Sequence, residues 1–215
     1  MNMAWTRRFV ATTAPCLMLA ACSSPVPPPS QANVTISLTN PLDTSGGQVC
    51  QANNTPLNIP LDNKPKAYSA SGHDRSSNRA VDGDNGYNVS CLVQPDGDKF
   101  HVVASTSYLV KDASGTHSGS LSFQIQDIGP NDTSVSGKLS VTSDMWDVSF
   151  TTNTQIRDSS NCNFSVSATA TDSSLGIAPG RIWARADCTS LVSADQPNVG
   201  CDAKQTYLVF ENCDH

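Results

Sequence analysis

The sequence predicts an all-β fold, an antiparallel β-sandwich or jelly roll stapled by disulfides and carrying long loops. Three observations predict it. Short runs of alternating apolar and polar residues recur at about ten-residue spacing, with Gly, Asn and Asp between them. That is the pattern of strands with one face in a core and the other in water. Asp outnumbers Glu 18 to 1 in the 215 residues. Glu favours helices, whereas Asp bonds its own backbone and favours turns, so helical bundles and coiled coils are excluded. Six of the eight cysteines lie beyond residue 22, an even set that reads as a disulfide framework in an exported chain.

The elements follow in order. Residues 1–21 read as a signal peptide and stand outside the fold. Arg7 and Arg8 form a positive start, and Phe9 to Leu19 is an apolar run of eleven residues, too short for the ~20 residues of a membrane-spanning helix. Leu19-Ala20-Ala21-Cys22 then resembles the lipobox of bacterial lipoproteins. The resemblance implies cleavage before Cys22, acylation of that cysteine with chains such as palmitate, and lipid anchoring on the exported side of a bacterial membrane. Ser23 after the lipidated residue implies the outer membrane in a bacterium that has two. The rival reading of the same segment is an ordinary secretory peptide cut near Ala21. Loss of Arg7 and Arg8 leaves 11 bases against 19 acids, a net charge of −8. That charge, with a pI near 4.9, argues against a nucleic-acid partner.

Residues 22–32 read as the lipidated cysteine and a tether. Pro25, Pro27, Pro28 and Pro29 favour extended polyproline II, which spans ~3.1 Å per residue and packs no core. The β domain is expected over 33–215. Val34–Leu38 is its candidate first strand. The stretch from Asp43 to Asn88 is the least regular and reads as long loops. Tyr87–Val93 and Lys99–Val110 flank the turn signal Gln94-Pro95-Asp96-Gly97-Asp98, with Phe100, Val102, Ala104, Thr106, Tyr108 and Val110 sharing a face. Leu121, Phe123 and Ile125 alternate with polar neighbours. So do Val135, Leu139 and Val141, then Trp146, Val148 and Phe150.

Near the C-terminus, Cys162 to Ala168 and Arg181 to Cys188 alternate as well. Folded as a hairpin about the loop Asp172 to Gly180, one register sets Cys162 opposite Cys188 and Phe164 opposite Ala186. The same register sets Val166 opposite Ala184 and Ala168 opposite Ile182. A slip of one residue would turn every apolar side chain outward. This predicts a Cys162–Cys188 bridge. Cys201 and Cys213 flank the apolar strand Tyr207–Phe210 and are paired as a local closure, which leaves Cys50 with Cys91. A zinc site is the weaker reading, because no C-x-x-C pair occurs and there are four His.

Chemistry is thinly marked. Lys66–Ser71 followed by Asn78-Arg79-Ala80-Val81-Asp82-Gly83-Asp84 resembles the entry strand and loop of discoidin-type jelly-roll domains. That resemblance implies binding of glycans, lipids or proteins through loops, and Ca²⁺ near this turn. Asp82, Asp84 and Asn85 are the candidate oxygen ligands for Ca²⁺. The alternative is a plain Asp-Gly turn. His73 and Arg75 lie in a modestly basic stretch suited to an anionic glycan or simply to solvation. Trp183, flanked by Arg181 and Arg185, alternates away from the disulfide face. It is either a recognition patch or part of a second core. Gly115-Thr116-His117-Ser118-Gly119 is not a nucleophile elbow, so a hydrolase is the least favoured reading. The expectation is a cell-envelope binding module for a glycan or envelope protein, not an enzyme, with no cofactor beyond Ca²⁺. A structural or assembly accessory of the envelope is the alternative.

Overall fold

A computed structural model describes residues 26–39, 57–61, 79–111, 113, 115–144, 148–151, 162–167, 175–193 and 200–214. Cys22, Cys50, His73, Arg75, Trp146 and Ala168 lie outside them. The described residues are all-β and antiparallel, as the alternation predicts, with no helix long and apolar enough to cross a membrane among them.

The strands are β1 (Gln31–Ile36), β2 (Leu38–Thr39), β3 (Leu57–Ile59), β4 (Ala80–Val81), β5 (Tyr87–Asp96), β6 (Lys99–Lys111) and β7 (Thr116–Ile128). They continue as β8 (Val135–Ser143), β9 (Val148–Thr151), β10 (Cys162–Ser165), β11 (Gly176–Ala178), β12 (Arg181–Ser193) and β13 (Gly200–Glu211). One hydrogen-bonded sheet holds them in the order β3-β1-β13-β12-β10-β8-β7-β6-β5.

The sheet curls until the tail of β13 reaches the edge strand β5. Asp214, just past β13, exchanges backbone hydrogen bonds with β5: its amide donates to Cys91 O at 2.9 Å, and its carbonyl accepts from Val93 at 2.8 Å. A disulfide between Cys91 and Cys213 lies beside this bridge. On the other side β4 pairs β1, and the Asp82 amide donates to Ser30 O.

Alternation fills the enclosed side. Val34, Ile36, Val102, Leu121, Ile125, Leu139, Ile182 and Leu208 are buried in one core cluster with the inward residues of the other strands. Phe123 stacks on Phe164 at 5.8 Å and meets Phe210 edge-on at 5.4 Å, geometries that aromatic pairs prefer. Gly137 makes room for this trio. A Cβ there would lie 2.6 Å from the Phe164 ring.

The Cys162–Cys188 bridge forms in the expected register, with Phe164 opposite Ala186. The connection behind it differs from the expected loop. Gly176–Ala178 is a strand, and Ile182 faces Ile177; the expected partner Ala168 lies outside the described residues. Pro179-Gly180 makes a two-residue turn, Gly180 taking φ +75°, a conformation glycine adopts at no steric cost.

Two pairings are corrected. Cys213 bonds Cys91, not Cys201. The 12-residue strand β13 carries Cys201 as its second residue and ends two residues before Cys213. At ~3.3 Å per residue its ends lie roughly 40 Å apart, and a disulfide needs Cα atoms within ~7 Å. Cys91 is therefore not available to Cys50. Cys201 is disulfide-bonded, with its partner outside the described residues. The first strand also starts earlier than expected, at Gln31 inside the proposed tether, because Ala32 is buried opposite Phe210.

Candidate functional site

The outward halves of β5 to β8 form a regular polar surface. Each strand contributes an alternating pair: Asn88 and Ser90, Ser105 and Ser107, Ser120 and Ser122, Ser140 and Thr142. These residues point outward because their neighbours Val89, Thr106, Leu121 and Val141 are buried. The ladder registers then set the pairs side by side. Asn88, Ser107, Ser120 and Thr142 form one cross-strand row, and Ser90, Ser105, Ser122 and Ser140 the next. Neighbours within a row stand ~4.8 Å apart, and the rows roughly 6.8 Å apart. Ser120 Oγ and Thr142 Oγ1 share a hydrogen bond of 2.9 Å.

Six of these residues line a shallow depression of about 260 Å³ over β5, β6 and β7. Asp82 stands at its margin, where Oδ1 accepts the Val89 amide at 2.9 Å. Outward on β6, Leu109 (64% exposed) and Val103 (41% exposed) bracket the two rows. Inward, Tyr108 is buried against Gly119, its phenol sharing a 2.9 Å hydrogen bond with Ser143. Burial pushes that phenol up, with Asp144 and Tyr87 adding to the shift and the Ser143 bond opposing it.

The other sequence candidates are placed apart from this face. Trp183 is buried, on the outer face of β12 opposite Val209. Its Nε1 donates to Glu211 Oε1 at 2.8 Å, Arg79 pairs with the other carboxylate oxygen, and the guanidinium lies 5.9 Å from the ring centre. The sole Glu of the chain thus bonds an indole and a guanidinium together. Of the flanking arginines, Arg181 is exposed at the strand start, whereas Arg185 is paired with Asp187 at 2.9 Å. Trp183 is thus covered on the outer face beside Val209, Glu211 and Arg79.

Asp82, Asp84 and Asn85 form a tight turn between β4 and β5. The Asp84 amide donates to Val81 O, the Tyr87 amide to Asp84 O, and Asn85 takes φ 49°. Among the described residues no cluster of three His, Cys, Asp or Glu is grouped to hold a metal. His117 lies 3.8 Å from Asp144, whose Oδ2 accepts the Ser118 amide.

The hydroxyl rows were legible only in part. The apolar half of each alternation marks the core, and the polar half is its by-product until the register is known. The signal is the i, i+2 repetition of Ser, Thr or Asn on four successive strands, joined by a turn that sets Asn88 opposite Ser107. Comparison with protein-family models, with curated proteins and with solved structures finds no match for this chain, so its function is read from these residues and this geometry.

Proposed function

We propose that the protein is a cell-envelope lipoprotein, anchored to a bacterial membrane through acylated Cys22, whose β domain binds a glycan or other envelope component rather than catalysing a reaction. Leu19-Ala20-Ala21-Cys22 behind Arg7 and Arg8 carries the anchoring half of this reading. The exposed run Val26–Pro29 ahead of β1 supports a spacer, and the disulfides support an oxidising compartment. The solvent-facing depression on β5–β7, lined by Ser and Asn with Asp82 at its margin, supports the binding half, since binding residues collect where a rigid scaffold presents them.

Intact-mass measurement of the membrane fraction tests the anchor. A chain beginning at Cys22 and carrying acyl mass is expected, with Cys22→Ala releasing or stalling the protein. A wild-type chain found wholly soluble and unacylated overturns it. The binding half is tested by co-sedimentation of the detergent-solubilised mature protein with isolated envelope material. Recovery of all protein in the supernatant overturns that half alone.

A further inference from the structure

We infer that the paired hydroxyl rows of β5–β8 are a docking surface for an uncharged polysaccharide lying extended across the strands. This rests on the reading of the domain as a binding module and names the class of ligand.

The charge character selects the occupant. All eight positions of the two rows are Ser, Thr or Asn; the one charged residue lining the depression is Asp82 at its margin, so an anionic polymer meets like charge and a cationic one only a single carboxylate. A hydroxyl is at once donor and acceptor and rotates to suit its partner. A polyol is the partner with the same property, and either can supply the proton at each contact. The repeat selects the shape. Polar side chains, hydroxyls at every position but Asn88, recur with the strand spacing of ~4.8 Å along each row, comparable to the advance per sugar of an extended β-linked chain, so one polymer meets successive strands in phase.

Sugar rings also present C–H faces. Leu109 and Val103, the exposed large hydrophobic side chains of the described strands, sit at the two borders of the rows, where those faces would lie. A protein partner is disfavoured by the composition of the rows. Protein interfaces draw their affinity from buried Trp, Tyr and Arg anchors, and the rows hold none. Contacts of this kind are individually weak, so affinity accumulates over many sugars and over many anchored copies.

Affinity electrophoresis of the detergent-solubilised mature protein tests the proposal, with hydroxyethyl cellulose, glycol chitin or galactomannan in the gel and alginate as the anionic comparator. Retardation by at least one uncharged polymer and none by alginate is expected. Ser107→Glu with Ser122→Glu should weaken retardation at least tenfold, and Leu109→Ser severalfold. Asn163→Glu, exposed on β10, should leave it unchanged. A thermal melt of each variant monitors the fold, and Ser107→Ala with Ser122→Ala, expected to weaken retardation severalfold, replaces any Glu variant that melts early. Retardation unaltered by the Ser substitutions, a preference for alginate, or no retardation by any uncharged polymer overturns the proposal. Co-sedimentation with envelope material that survives Ser107→Glu with Ser122→Glu overturns this face while keeping the binding module. Absence of co-sedimentation in the wild type removes both.

Discussion

At Tyr108 the phenol is 3% exposed and shares its proton with Ser143. Its pKa is raised above the ordinary 10.0, chiefly by burial. An acid whose folded pKa is raised contributes stability that is complete below the unfolded pKa and is lost as pH rises through the folded one. Unfolding free energy should therefore fall from about pH 10 upward. Tyr108→Phe should flatten that fall in urea titrations between pH 8 and roughly 11, and an unchanged slope would place the alkaline loss elsewhere. Two other inward side chains work against the core. The hydroxyls of Thr106 and Thr206 are buried and have no hydrogen-bond partner among the described residues. Removing such a group while keeping its shape recovers its desolvation cost. Thr206→Val should raise stability by roughly 1 kcal/mol, about 2–4 °C in Tm. A drop in Tm would mean that the hydroxyl is satisfied after all.

Among the elements, the disulfides divide into one local and one global staple. Cys162–Cys188 joins two adjacent strands over a separation of 26 residues, whereas Cys91–Cys213 spans 122 and closes the curled sheet. Loop-closure entropy ranks them, at about 3.5 and about 5 kcal/mol respectively. Urea midpoints of the double alanine variants should fall in that order, with Cys91→Ala/Cys213→Ala the less stable. Non-reducing peptide mapping should also show Cys50 joined to Cys201, the pair left once the other two are made. The contrast between the bridges explains what was legible. Cys162 and Cys188 each sit on a strand whose apolar face is visible, so one register satisfies both cysteines and both faces. Cys91 and Cys213 meet because β13 lies between β1 and β12 and its tail reaches β5. Strand order of that kind is a tertiary outcome, absent from any local alternation. The hydroxyl rows share this fate: each pair reads as a strand's wet side, and only the four-strand register makes them a surface.

For the molecule as a whole, β13 is the strand around which the rest is arranged. It pairs β1 on one side and β12 on the other, yet it comes last in chain order among the described strands. The pairing with β1, at the other end of the described residues, closes an expensive loop before it is rewarded, and topologies of that kind fold in milliseconds to seconds. A chain ended at residue 198 lacks β13 and should show no cooperative unfolding transition by near-ultraviolet circular dichroism. A sharp transition in that chain would show the remaining strands to be self-sufficient. One junction bears on how the domain carries force. Asn212 Nδ2 donates to Pro29 O at 3.1 Å, and Ser30 Oγ donates to Asn212 O at 3.1 Å. The next residue, Cys213, is covalently tied to β5 through Cys91. Tension arriving along the chain ahead of Pro29 thus does not simply peel β1 from its neighbour. It is split at its point of entry among β1, the end of β13 and, through the sulfur bridge, β5, so the seam of the curled sheet is also its mechanical mooring.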